Sequence, residues 1–190
     1  MPNVKVAPYG SWQSPISSDL IVSESVRLSD VVLDGRDTYW VEMRPSEGGR
    51  NAIVRCTPDG QVADITPPDF NSRTRVHEYG GRSFAAHQTD VYYSNYSDQR
   101  IYHQKPHAGP TAMATANGLR FADIIVDRQH QSLICVCEDH RGRRTEPENT
   151  LVRLDLAGSV ETAASELKTL ACGSDFYAAP CLSPDGSQLA

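Results

Sequence analysis

No stretch of this chain is apolar for long enough to cross a membrane, and Met1-Pro-Asn-Val-Lys-Val-Ala-Pro-Tyr9 lacks the apolar run of a secretory signal. A cytoplasmic protein is expected, so the Asn95-Tyr-Ser97 sequon should never meet the glycosylation machinery. Clustered basic charge is missing too. The net charge is −6, and the one basic run, Arg141-Gly-Arg-Arg144, reads as a solvated loop tip before Glu146 and Glu148. Nucleic acid and membranes are therefore not expected partners. Cysteine is sparse: Cys56, Cys135, Cys137, Cys172 and Cys181 make an odd set with no Cys-x-x-Cys spacing. Reduced, buried thiols are expected, with Cys135 and Cys137 on one face of a strand.

Catalytic motifs are missing as well. The chain has no Gly-x-Ser-x-Gly elbow, no His-Glu-x-x-His helix and no Gly-x-x-x-x-Gly-Lys phosphate loop. Its histidines, His77, His87, His103, His107, His130 and His140, are scattered, so no metal site and no cofactor is expected.

What the chain does contain is a repeat. Gly60, Gly109 and Gly158 share one spacing of 49 residues (109 − 60 = 158 − 109), and Asn51-Ala-Ile-Val-Arg-Cys-Thr-Pro-Asp-Gly-Gln-Val62 reads again as Asn149-Thr-Leu-Val-Arg-Leu-Asp-Leu-Ala-Gly-Ser-Val160. A period of about 40 to 50 residues built from short strands and glycine turns is the sequence form of a β-propeller. Each blade buries its apolar face only against a neighbour. The predicted class is all-β: a partial propeller of about three four-stranded blades plus the start of a fourth.

The expected boundaries are a preceding segment at 1–27 and an incomplete propeller at 28–190, with blades near 28–70, 71–116 and 117–174 and a fourth opening at 175–190. Strands are expected at Val31-Leu33, Thr38-Met43, Ala52-Arg55 and Val62-Thr66, and at corresponding places in the next two blades. Pro58-Asp-Gly60 is a tight-turn signal, because proline presets φ and glycine accepts φ above zero. Ala163-Ala-Ser-Glu-Leu167 has room for one helical turn. Ala178-Ala-Pro-Cys-Leu-Ser-Pro-Asp-Gly-Ser-Gln-Leu-Ala190 opens a blade within its second strand, so the reading frame is expected to continue.

Residues 71–81, Asn-Ser-Arg-Thr-Arg-Val-His-Glu-Tyr-Gly-Gly, concentrate charge, imidazole, phenol and glycine at a crossing between blades. Arg75, His77, Glu78 and Tyr79 are the candidate substrate contacts. In this reading Glu78, or the Arg73 and Arg75 pair, faces the central tunnel and meets a charged end of a peptide. The alternative is structural, with Arg75 pairing with Glu78 and Tyr79 packing between blades.

Tyr9-Gly-Ser-Trp-Gln-Ser-Pro-Ile16, Arg44-Pro-Ser-Glu-Gly-Gly-Arg50, Arg75-Val-His-Glu-Tyr-Gly-Gly81 and Leu182-Ser-Pro-Asp-Gly-Ser187 resemble the N-terminal half of prolyl oligopeptidase family serine peptidases. The nearest branch is the dipeptidyl aminopeptidase and acylaminoacyl peptidase group. The resemblance implies a propeller followed by an α/β-hydrolase domain whose Ser, Asp and His perform acyl transfer, all beyond residue 190. It further implies short peptides as substrates, the hydrolase domain as partner, and a propeller that gates access. Two other readings stay open. A TolB-like propeller would bind a protein partner without catalysis, and a lactonase-like propeller would hold a central metal on Asp34, Asp90, Asp127 and Asp185, residues whose other use is to cap tight turns.

Overall fold

A computed structural model describes residues 6–11, 14–23, 25–113, 117–142, 146–156 and 167–190. Among them, helix is confined to α1 (Ser18–Ser23) and a 3-10 turn at Pro45–Glu47. The rest of the regular structure is twelve strands in three antiparallel meanders. The first sheet holds β1 (Arg27–Asp34), β2 (Asp37–Arg44), β3 (Arg50–Cys56) and β4 (Val62–Asp64). The second holds β5 (Phe84–His87), β6 (Asp90–Ser94), β7 (Ile101–Gln104) and β8 (Thr111–Ala112). The third holds β9 (Leu119–Asp127), β10 (Ser132–Asp139), β11 (Glu148–Asp155) and β12 (Lys168–Ala171).

The strands form where β-branched, aromatic and other apolar residues concentrate, running unbroken through Leu133–Cys137 of β10, and turn residues end them. Gly60 takes φ +83° and its N–H donates to the Thr57 carbonyl at 2.9 Å. Gly186, in the matching Ser-Pro-Asp-Gly turn, does the same to Ser183 at 2.8 Å. The chain then reverses, and Cys181 and Ala190 exchange backbone hydrogen bonds of 2.8 and 3.0 Å, which makes 181–190 the opening hairpin of a further blade.

The sheets stack face to face. Tyr39, Val41 and Ile53 of the first pack with Phe84, Val91 and Tyr93 of the second. Ala85, Tyr92 and Ile101 on the other face of the second pack with Phe121, Leu133, Cys135, Cys137 and Leu154 of the third. Successive first strands touch, β1 with β5 and β5 with β9, so these strands line the inner edge. The fold is a partial β-propeller. On the far face of the first sheet, Leu28, Val31, Leu33 and Val62 are 60 to 73% exposed, because the register turns them away from the second sheet. That apolar face has no neighbouring sheet among the described residues, which is what a stack of blades leaves at its open end.

Most of the Ala163–Leu167 helical turn, and Trp12 and Gln13 within the Tyr9–Ile16 stretch, lie outside the described residues.

Candidate functional site

Each meander begins at the end of the molecule where the crossings run, so the crossing at 65–83 shares that end with the β6–β7 turn, the β10–β11 loop and residues 172–178. The crossing is sewn down on both sides. Ser72 N–H donates to the Asn51 carbonyl at 2.9 Å, Arg73 N–H to the Ser94 carbonyl at 3.1 Å, and Asn71 N–H to Asn95 Oδ1 at 3.1 Å. The extended backbone alternates its sides, burying Ser72, Thr74 and Val76 and exposing Arg73 and Arg75.

Beyond Arg75 the chain coils. His77 and Glu78 take φ of 55° and 62°, and the N–H groups of Glu78 and Gly80 donate to the carbonyls of Arg75 and Val76 at 2.9 Å each. Left-handed backbone at two non-glycine residues costs roughly 1 kcal/mol apiece, so tertiary contacts must hold it. They come from the third sheet. Val76 packs on Ala122, Val136 and Tyr177. The His77 N–H donates to Glu138 Oε1 at 3.0 Å, and the His77 side chain, 6% exposed, sits 3.1 Å through Nε2 from the Tyr177 carbonyl. A carbonyl only accepts, so Nε2 carries the proton. Phe176 packs edge-on against the imidazole, with centroids 5.0 Å apart.

Glu138 is the anchor of this arrangement. Its side chain is 4% exposed, and it accepts from His77 N–H, from Arg120 at 3.4 Å and from His140 at 2.7 Å. The shared partners satisfy a carboxylate that burial alone would penalise. Arg120 also donates to the Arg75 carbonyl at 2.9 Å and pairs with Glu78 at 2.7 Å. That hydrogen bond holds the Glu78 carboxyl below its ordinary value.

The structure thus separates the four candidates. His77 is buried and holds the loop. Arg75 does not pair with Glu78: its guanidinium lies 4.5 Å from the Tyr96 ring centroid, with Arg73 at 5.0 Å from the same centroid. The coil at His77 and Glu78 carries the carboxylate to Arg120 instead. Tyr79 does not pack between blades either, since it is 81% exposed. Glu78 (side chain 80% exposed), Tyr79 and Phe176 (65%) form the open surface of the loop. Beside it runs a polar cleft of about 580 Å³, lined among others by Arg27, Asp30, Asn51, Arg73, Tyr79 and Ser83. Burial raises the Asp30 carboxyl above its ordinary value, against the pull of the Ser83 N–H and Arg82.

Glu138, Arg120 and Tyr96 were invisible as partners because they lie far along the chain, but another feature had a signal. Asp30-Val-Val-Leu-Asp34 and Asp123-Ile-Ile-Val-Asp127 are one pattern at one blade position. Asp30 and Asp123 both sit at bulges with φ of 52° and 53°. Asp30 accepts from the Ser83 backbone, and Asp123 from Arg82 N–H and Ala179 N–H at 2.8 Å each, so each clasps the next blade.

At the opposite end Asp34 accepts the Thr89 N–H at 2.9 Å, Asp90 pairs with His103 at 2.7 Å, and Asp127 pairs with His130 and Arg153 at 2.7 and 2.9 Å. Asp185 caps its own turn through Ser183 and Ser187. Among the described residues no three His, Cys, Asp or Glu side chains gather into a set that could hold a metal ion, and no helix is long and apolar enough to cross a membrane.

The fold matches the N-terminal propeller part of peptidases of the prolyl oligopeptidase family. Solved structures that it matches include puromycin hydrolases. A puromycin-hydrolysing peptidase of Mycobacterium tuberculosis superposes with a TM-score of 0.83 at 34% identity, over 96% of this chain. Puromycin hydrolase superposes with a TM-score of 0.84 at 33% identity over 98% of this chain, and its serine-to-alanine variant complexed with PGG gives 0.85 at the same identity. This chain spans 30% of the length of each. No family model and no curated protein matches the chain.

Proposed function

We propose that this chain is the non-catalytic propeller part of a cytoplasmic serine peptidase of short peptides, and that it screens substrates by size on their way to an α/β-hydrolase domain. The observation that carries the reading is sequence identity of 33 to 34% to hydrolytic peptidases over nearly the whole chain. By that likeness puromycin is a candidate substrate of the assembled enzyme. The crossing loop supports the gate. It is tied through His77 to Glu138 of β10 and to the Tyr177 carbonyl, which favours a fixed loop over a loose one at that end of the propeller. On this reading Glu78 and Tyr79, exposed at the loop's crest, touch the peptide, while His77 fixes the loop.

The test uses the protein that carries both domains. A short peptide and the same sequence held in a loop of a folded domain are offered as substrates. Cleavage of the free peptide alone is expected, and equal cleavage of both overturns the gate.

A further inference from the structure

We infer that Arg73, Tyr96 and Arg75 form a recognition site for the free C-terminal carboxylate of a short peptide, an inference that rests on the peptidase reading above. Both guanidiniums lie over one aromatic ring, at 5.0 and 4.5 Å from its centroid. Cation–π contact with the ring restrains both guanidiniums, and among the described residues neither donates a side-chain hydrogen bond, which leaves their forked N–H donors for the two oxygens of a carboxylate. The acid nearest in sequence, Glu78, is committed to Arg120, and no described carboxylate forms an ion pair with either arginine.

The backbone beneath is fixed. The Arg73 N–H donates to the Ser94 carbonyl at 3.1 Å, the Arg75 N–H to Gln99 Oε1 at 2.8 Å, and the Arg75 carbonyl accepts from Arg120 at 2.9 Å. Little order is left to impose on binding, which favours affinity from few contacts. Arg73 also lines the polar cleft with Tyr79, so a peptide gripped there lies along the exposed crest of the loop. The chain's net charge of −6 repels multiply charged anions more than a single carboxylate.

The test is a calorimetric titration of the chain with trialanine, with its C-terminal amide, and with the amide of Ala-Glu-Ala. The free acid should bind about tenfold more tightly than either amide. In the double variant Arg73→Gln, Arg75→Gln that preference should vanish, and in Arg73→Lys, Arg75→Lys, which keeps the charge and loses the fork, it should shrink. Melting curves identify the folded variants. Equal binding of acid and amide by the parent chain overturns the site, as does a preference retained by a folded Gln or Lys variant. Binding of the glutamyl amide as tight as the free acid overturns the assignment to the chain terminus. Hydrolysis is read separately: a two-domain protein that cleaves neither trialanine nor its amide sinks the peptidase reading, whatever the titration shows.

Discussion

The backbone N–H of His77 donates to the buried carboxylate of Glu138 at 3.0 Å, across 61 residues of chain. Through this bond a crossing between the first two sheets is held by the third. Glu138→Ala removes the acceptor and leaves Arg120 without its buried counter-charge, so a loss of about 3 kcal/mol is expected by urea unfolding. Glu78→Gln, which removes the exposed partner of the same arginine, should leave the melting temperature unchanged. Equal losses would place the anchor elsewhere.

Asp123 does two things at once. It accepts the N–H groups of Arg82 and Ala179 and occupies a left-handed bulge at φ +53°. Asp123→Ala should cost about 3 kcal/mol through two lost hydrogen bonds and backbone strain. Asp123→Gly, which relieves only the strain, should recover about 1 kcal/mol of that. A glycine variant no better than alanine would show that strain is not part of the cost.

Two carboxyls give opposite pH signs. Burial raises Asp30, so its contribution is complete below the ordinary 3.8 and is lost as pH rises through the folded value. Asp30→Asn should therefore be more stable than the parent near neutral pH, with the gap closing in acid. The hydrogen bond from Arg44 lowers Asp64, whose contribution is present above 3.8 and lost as pH falls through the folded value. Asp64→Asn should be less stable near neutral pH, again converging in acid. Denaturant midpoints measured across that range check both signs, and a matching sign for the two variants would refute the assignment.

Thiol chemistry should follow burial. Burial pushes the Cys137 thiol up to about 12 and raises Cys135 as well, whereas Cys172 and Cys181 are exposed. A brief iodoacetamide pulse on the folded chain should label Cys172 and Cys181 and spare the pair on β10. Mass spectrometry of the peptides would show it, and early labelling at Cys135 would contradict the packing of the second and third sheets.

The fold was legible because its signals are local. Gly60 and Gly109 fall in third-to-fourth strand connections, Pro58-Asp-Gly60 forms its turn, and Cys135 and Cys137 share the face toward the second sheet. The crossing at 71–81 was legible as a concentration of polar groups but not as an arrangement. Arg75 lies three residues before Glu78 in the chain, yet the left-handed turn between them sends the carboxylate to Arg120, 42 residues on. Backbone sign and long-range partners leave little trace in residue spacing. The paired aspartates at 30 and 123 did leave one, as a repeated pattern at the inner strand.

The peptidase reading is tested most directly by the coding sequence that follows the codon for Ala190. The account predicts an in-frame continuation that completes the blades and then carries a Gly-x-Ser-x-Gly elbow between strand and helix, followed by the triad Asp and His in that order. A stop codon directly after Ala190, or further blades with no hydrolase domain, would contradict it.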